Sequence, residues 1–301
     1  MPRSEPLRVA VLGAGLIGID LVTKIQRSPA LSCELVVGRT EETRGLRHAA
    51  ALGCATAAGG VDALVAGREP VDVVFDATNA TAHAEHWARL QPLGTLLVDL
   101  TPSRVGHMVV PTVNGADALL HRNVNLVSCG GQASVPVLHA LARLCRPRYP
   151  EYVEVVTTAA SVSVGRATRL NLDEYIATTE TAVRTFTGVA DVKAIVNLSP
   201  ARPPAPFRVA MSLVVPGADE DTVAAHVEAA AAEVRRHTPG YRVTACTVTD
   251  ERIFVAVEVT AAGDRIPRYA GNLDIINAAA VLIAERYAAR RPLAGATEEL
   301  S

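Results

Sequence analysis

Cys129 sits in the run Asn125-Leu126-Val127-Ser128-Cys129-Gly130-Gly131-Gln132-Ala133-Ser134-Val135-Pro136, where an apolar stretch ends at a small polar residue, a thiol and two glycines. Asn125–Ser128 reads as a strand, and a helix is expected over Val135–Cys145 with Pro136 near its first turn. A thiol at a strand-to-helix turn faces the positive end of a helix dipole, which favours the thiolate and lowers its pKa. The thiolate is the nucleophile, so the expected chemistry is covalent catalysis. The competing reading is a buried structural cysteine, since free Cys is among the most buried residue types.

The second chemical signal is Gly13-Ala14-Gly15-Leu16-Ile17-Gly18, a G-x-G-x-x-G run. It follows the strand-like Leu7–Leu12 and opens a helix over Leu16–Arg27, the context that a dinucleotide fingerprint requires. Gly13 permits the tight turn, Gly15 lets the backbone approach a pyrophosphate, and Gly18 lets helix and strand pack closely. The helix N-terminus supplies amide donors for the phosphates. The end of the second strand, Val37-Gly38-Arg39-Thr40-Glu41-Glu42, carries no immediate acid for a ribose 2′-hydroxyl. Arg39 suits a 2′-phosphate and Thr40 a hydroxyl hydrogen bond, so NADP is favoured over NAD. Two other readings stand: Arg39 as a solvated loop residue, or Glu41 or Glu42 binding the ribose.

These elements have to be positioned by a fold. The first part of the chain alternates short apolar strands with helices: Cys33–Val37, Val71–Asp76 and Thr95–Asp99 are strands, and Glu42–Leu52, Val61–Ala66 and His83–Leu90 are helices. That alternation predicts βαβ units and a parallel, Rossmann-type sheet. After Cys145 the strands cluster: Tyr152–Ala160, Lys193–Leu198, Arg208–Val215, Tyr241–Thr249 and Ile253–Thr260, with helices at Asp173–Phe186 and Thr222–Arg236. This predicts an α+β domain with a mixed or antiparallel sheet. The fold class is therefore α/β, with a dinucleotide-binding domain at 1–130 and a catalytic and dimerisation domain at 131–271. The helix Leu273–Arg290 returns to the first domain within 272–301.

The bulk numbers are consistent with this. The 301 residues are 49% hydrophobic and 20% charged, enough for a sizeable core. A net charge of −2 argues against nucleic-acid binding. No apolar run reaches membrane-spanning length, and the N-terminus lacks a signal-peptide core. Five scattered cysteines give neither a disulfide framework nor a zinc site, so a reducing, cytoplasmic location is expected and no metal is.

Together, a nicotinamide-binding half and a junction cysteine point to one reaction class. The thiolate adds to an aldehyde, hydride leaves for the nicotinamide, and a thioester remains for a second thiol. The chain resembles the acylating, CoA-dependent acetaldehyde dehydrogenases from about Leu7 to Arg286. The resemblance rests on Val74-Phe75-Asp76-Ala77-Thr78, Asp99-Leu100-Thr101-Pro102, the Cys129 block, Asn171-Leu172-Asp173-Glu174, Pro239-Gly240-Tyr241-Arg242 and Tyr269-Ala270-Gly271-Asn272-Leu273-Asp274-Ile275.

The resemblance implies that Cys129 carries the acyl group on its way to coenzyme A or another thiol. It implies a cofactor cradle of Gly13, Ala14, Gly15, Leu16, Ile17 and Gly18 with Thr78. The stretch Ser163, Val164, Gly165, Arg166, Ala167, Thr168, Arg169, Leu170 and Asn171 would border the nicotinamide half. Asn272 would hydrogen-bond near the nicotinamide or substrate oxygen; an N-cap of the last helix is an equally natural role for it. The small-molecule partners are an aldehyde and an acyl thioester. A homodimer through the second-domain sheet is expected, with an aldolase as a further partner.

Three departures from the family pattern bear on the chemistry. Thr40, beside Arg39, stands where an acid suited to NAD is usual. Gly165-Arg166-Ala167-Thr168-Arg169 replaces Gly-Pro-Gly-Thr-Arg, adding a cation at Arg166. Val209 stands where the family carries an acid after its Pro-Pro pair. Asp191, Asp173 and Glu174 are the carboxylates available to take its place. His83 and His139 are the histidines nearest the site by position, and both read as structural. Two alternatives remain at this stage: a phosphate-dependent semialdehyde dehydrogenase, and a non-catalytic cofactor-binding subunit.

Overall fold

The computed structural model describes residues 5–67, 70–147, 150–262 and 265–290, without the side chains of Arg166 and Ala167. Two sheets organise the chain. The first contains β1 (Leu7–Leu12), β2 (Leu31–Val37), β3 (Ala55–Ala57), β4 (Val73–Asp76), β5 (Leu96–Asp99), β6 (His107–Met108) and β7 (Asn123–Asn125). Their order is β3-β2-β1-β4-β5-β7-β6, and the pairings are parallel. Helices α1 (Leu16–Ile25), α2 (Arg44–Ala51), α3 (Val61–Val65), α4 (Ala80–Leu90) and α5 (Pro111–Asn114) lie among these strands. The strands β1, β4 and β5 are almost wholly buried, as expected for a parallel sheet covered on both faces. The expected Rossmann-type sheet is present.

Helix α6 (Cys129–Leu144) leads out of this sheet towards the second. There β8 (Tyr152–Ala160), β9 (Val192–Ser199), β10 (Phe207–Val214), β11 (Tyr241–Val248) and β12 (Arg252–Val259) take the order β11-β12-β10-β8-β9. Only the β8–β9 pairing is parallel; the others are antiparallel. Along β10, Phe207, Val209, Met211 and Leu213 are buried, and Arg208, Ala210, Ser212 and Val214 alternate with them on the more open face. The buried face packs on α6, α8 (Leu172–Thr187) and α9 (Glu220–Arg235) in one apolar core. A short helix α7 (Arg166–Leu170) precedes α8.

The last helix, α10 (Gly271–Arg290), returns to the first sheet as expected, burying Ile276, Ala279, Ala280 and Ile283 in that sheet's core. Asn277 Nδ2 donates to the Ile17 carbonyl at 3.1 Å and to Asp20 at 2.7 Å, and Lys24 pairs with Asp274 at 2.5 Å. These contacts pin α10 against α1. No described helix is long and apolar enough to cross a membrane.

Two expectations around Cys129 need correction. The strand covers Asn123–Asn125, not Asn125–Ser128, and the helix starts at Cys129 itself, so Pro136 lies inside it. Val127 has φ +63°, a left-handed conformation that is costly for a β-branched residue and ends the strand. Ser128 then caps the helix, its Oγ accepting from Gly131 N at 2.9 Å. That cap offsets part of the poor helix propensity of Gly130 and Gly131.

Candidate active site

Four strand ends converge at the carboxyl edge of the first sheet: the glycine turn after β1, Ala77–Asn79 after β4, Leu100–Pro102 after β5, and Cys129 beyond β7. Open parallel sheets bind ligands at this edge, beside the point where the strand order reverses. Here that point lies between β1 and β4.

The glycine turn is shaped by close approach. Gly13 has φ +111°, and a Cβ on it would lie 2.7 Å from the Ala77 carbonyl oxygen. A Cβ on Gly18 would lie 1.9 Å from the Gly13 carbonyl oxygen, so helix and turn touch backbone to backbone. A Cβ on Gly15 would meet open space. Gly15 N-caps α1 without a side-chain hydrogen bond, which leaves the first amides of the helix open towards the cavity. Gly15, Leu16, Ile17 and Thr78 line this cavity of about 210 Å³, while Gly13, Ala14 and Gly18 form its supporting backbone. The residues present fit the pyrophosphate of a dinucleotide.

At the end of β2, Arg39 and Thr40 are exposed. Gly45 of α2 lies so close to the turn that a Cβ would sit 1.8 Å from the Ala14 carbonyl oxygen, which brings the 39–45 segment against the cradle. Among the described residues the Arg39 guanidinium has no hydrogen-bond or ion-pair partner. A backbone donor, and after it the Thr40 hydroxyl, hold the Glu42 carboxyl below its usual range.

The turn cavity continues into a second one of about 60 Å³, which shares Ile17, Leu100, Pro102, Thr168 and Leu273 with it and reaches Cys129. The nucleophile candidate is held by clamps on the turn before it. Asn125 Oδ1 accepts from Val127 N at 3.0 Å, and Gln132 Nε2 donates to the carbonyls of Val109 and Leu126, both at 2.8 Å. A Cβ on Gly131 would lie 2.6 Å from Val127 Cγ1.

Cys129 does not have the lowered pKa expected from its helix terminus. Burial among apolar groups pushes the thiol up to about 11. The hydrogen bond from Tyr175 and the backbone donors at Gly130 and Cys129 offset this only in part. The resting group at neutral pH is a thiol.

Tyr175, on α8, is the site residue that sequence reasoning missed. Its Oη lies 3.2 Å from Cys129 Sγ and accepts from Gly130 N at 2.8 Å. A Cβ on Gly130 would sit 2.4 Å from Thr157 Oγ1 and 2.6 Å from Tyr175 Oη, so glycine is what leaves room for both hydroxyls. The only available signal was periodicity: Tyr175, Thr178, Thr179, Ala182 and Val183 form one buried stripe of α8.

None of the three carboxylates expected to replace the family acid comes to the site. Asp173 and Asp191 are exposed, and neither they nor Glu174 line the cavity. Val209 is buried in the core of the second sheet, directly opposite Thr157. Cys129 and Tyr175 are the ionisable side chains among the lining residues.

Asn272 lines the cavity from the first turn of α10; the helix begins one residue earlier, so Asn272 is not its N-cap. Its Nδ2 donates to the Ser163 carbonyl at 3.2 Å, and its Oδ1 is buried with no partner. An orphaned buried acceptor of this kind fits a ligand amide. Val164 and Thr168 line the Cys129 cavity; Gly165, Thr168 and Asn171 line the turn cavity.

Arg169 instead folds back, donating to the carbonyls of Val164 at 3.2 Å and Ser161 at 2.5 Å. Leu170 is 70% exposed and lines neither cavity, because it faces outward at the end of α7. The roles expected for the Arg166 and Ala167 side chains lie outside the described residues.

His83 and His139, the two histidines read as structural, line neither cavity. His139 Nδ1 pairs with the Phe186 carbonyl at 2.6 Å. His83 and His86 both bond Asp76 Oδ2, at 2.8 and 2.7 Å, beneath the strand ends.

Comparison with known proteins settles the family. Residues 129–267 match the family model described as "Prokaryotic acetaldehyde dehydrogenase, dimerisation". The chain is 60% identical over 287 residues to an acetaldehyde dehydrogenase of Streptomyces griseus subsp. griseus, covering 95% of this chain and 92% of the relative. The chain belongs to the acetaldehyde dehydrogenase family. An acetaldehyde dehydrogenase of Pectobacterium atrosepticum is 40% identical over 96% of this chain and 98% of its own length. The fold is also that of aspartate semialdehyde dehydrogenase II of Vibrio cholerae, whose structure superposes with a TM-score of 0.63 at 13% identity, covering 95% of this chain and 99% of that one. At that identity the likeness concerns the fold alone. Family membership makes the chain an oxidoreductase, an acylating aldehyde dehydrogenase, and favours that reaction over the phosphate-dependent alternative.

Proposed function

We propose that this acetaldehyde dehydrogenase relative interconverts an aldehyde and an acyl thioester through Cys129, with coenzyme A as the acyl acceptor and a nicotinamide cofactor in the glycine cradle. The observation that carries this reading is the continuity of the two cavities, which puts the Cys129 sulfur and the open amides of α1 in one space. Family membership implies NAD and coenzyme A. When bound, the cofactor supplies the hydride chemistry.

The residues of this chain supply the rest. Gly13, Gly15 and Gly18 give the close backbone approach, and the Leu16 and Ile17 amides receive phosphate. Thr78, Gly165, Thr168 and Asn171 border the path towards the nicotinamide half. Asn272 Oδ1 is the acceptor for the carboxamide of that half. Cys129 forms the covalent acyl bond. The apolar walls at Ala159, Val196, Leu198 and Ile276 exclude water from the thioester and suit a short aliphatic acyl chain.

Arg39 supports acceptance of a 2′-phosphate, so NADP is the favoured cofactor within this reading. The dimerisation module supports a homodimer. An aldolase partner, a cytoplasmic location and the division into domains 1–130 and 131–271 complete the proposal. Reduction of acetyl-CoA or propionyl-CoA, followed by loss of NADPH or NADH absorbance, tests it. Activity in the wild type and its loss in Cys129→Ala is the expected result. Equal turnover by both proteins refutes a covalent route.

A further inference from the structure

We infer that Tyr175 is a catalytic residue: its hydroxyl relays the thiol proton of Cys129 to the substrate carbonyl oxygen, in place of a carboxylate base. The inference rests on the covalent role proposed for Cys129 and goes beyond it by naming the group that moves the proton.

The geometry determines what the hydroxyl does. A phenol has one proton and two acceptor lone pairs. Gly130 N donates to Tyr175 Oη at 2.8 Å, and the Thr157 hydroxyl borders the same space above Gly130. With one acceptor position served by Gly130 N, Oη keeps a lone pair and its own proton to exchange with Cys129 Sγ at 3.2 Å, where either group can donate, and with a substrate oxygen beside it. Burial and the neighbouring thiol hold the phenol well above its usual pKa, so Tyr175 is a donor and never a resident phenolate base.

The surroundings exclude the ordinary alternatives. Among the described residues no carboxylate, histidine, lysine or arginine lines the cavity, and the position where the family acid is expected is the buried Val209. Burial raises the thiol to about 11, so a thiolate is a minor species at neutral pH. In an apolar cavity a neutral route avoids the cost of an isolated charge.

In that route the Sγ–C bond forms as the carbonyl π bond breaks. The carbonyl oxygen takes the Tyr175 proton, and the thiol proton passes to Oη. The product is a neutral thiohemiacetal and Tyr175 is restored, so atoms and charge balance without an external base.

The test compares wild type, Tyr175→Phe and Thr157→Val. Iodoacetamide alkylation of the Cys129 peptide at pH 8 reads the thiolate alone and needs no assumption about substrate. Loss of the Tyr175 donor slows alkylation roughly tenfold, the factor for one pKa unit. A merely structural role opens space beside the sulfur and leaves alkylation unchanged or faster. In acyl-CoA reduction, Tyr175→Phe lowers kcat by about 10²-fold, the low end for general acid–base catalysis, with KM little changed. Thr157→Val, which keeps Tyr175, shifts both readouts in the same direction by a smaller factor, and it decides the matter if Tyr175→Phe does not fold. Wild-type alkylation and kcat in the folded variants overturn the proposal. Slowed alkylation in a protein that never reduces acyl-CoA supports the contact between the two groups while refuting the reaction assigned to them.

Discussion

Val209 stands directly across from Thr157 in the antiparallel pairing of β10 with β8, on the sheet face that packs beneath the start of α6. Residues opposed in this way have Cβ atoms about 5 Å apart. A carboxylate at 209 would therefore sit next to the hydroxyl that adjoins Tyr175, whereas a valine there completes an apolar core. The chain combines an apolar residue at the expected acid position with a phenol at the thiol. Introducing the acid as Val209→Asp is expected to bury a carboxylate with too few partners and to cost about 2 kcal/mol. It gives no gain in kcat. Urea unfolding and steady-state kinetics on the same preparation check both halves of this prediction.

The turn that presents Cys129 depends on Gln132. Its Nε2 serves two buried carbonyls, Leu126 immediately before the strained Val127 and Val109 in the segment after β6. Gln132→Leu leaves both acceptors unpaired, and each costs about 1–3 kcal/mol. The expected result is a lower Tm and a loss of Cys129 acylation larger than the loss of fold accounts for. Acylation that survives in a destabilised protein would show that the clamp serves stability only.

Arg39 is expected to read the cofactor phosphate. Arg39→Ala should lower kcat/KM for NADPH about tenfold, the scale of one charge-assisted contact, and leave NADH within about twofold. Equal losses with both cofactors would instead place Arg39 on the adenine, and no loss would leave it a solvated residue.

The pH dependence of stability should carry the signature of the Asp76 cluster. Burial opposes ionisation of Asp76, but the hydrogen bonds from His83 and His86 outweigh it and hold the carboxyl at about 2. Its contribution is complete above the unfolded value of about 3.9 and is lost as pH falls towards 2. His83 moves the opposite way: burial opposes its charge, yet Asp76 and Asp99 raise its pKa. Its contribution is complete below the unfolded value of about 6.5 and is lost as pH rises through the higher folded pKa. His83→Asn should therefore lower Tm most below pH 6 and flatten the decline on the alkaline side. A uniform drop at every pH would show that His83 stays neutral.

Much of this site was legible in the sequence because its signals are local. The spacing of Gly13, Gly15 and Gly18 between a strand and a helix is a short-range pattern, and the structure returns each glycine to a backbone contact that a Cβ would block or to an open cradle. The start of α6 was not legible. Gly130-Gly131 and Pro136 read as a turn followed by a first helical turn, whereas the Ser128 cap, the Gln132 clamp and the packing of the helix extend it back to Cys129. The direction of the Cys129 pKa shift was missed for a related reason: a helix terminus can be read from order along the chain, but burial cannot. Tyr175 was hidden most thoroughly. Its place on a buried stripe was readable, but its contact with a thiol 46 residues away exists only because α8 packs against α6. Strands as short as β3 and β6 carry too few residues to show a period.

The proposed reaction requires Cys129 to carry an acyl group. The most direct measurement is the intact mass of the protein after incubation with acetyl-CoA or propionyl-CoA without reduced cofactor, with the site located by peptide mapping. A gain of one acyl group on Cys129 is expected, absent in Cys129→Ala and discharged when NADPH or NADH is added. An unmodified wild-type protein that still turns over acyl-CoA, or acylation that persists in Cys129→Ala, would contradict it.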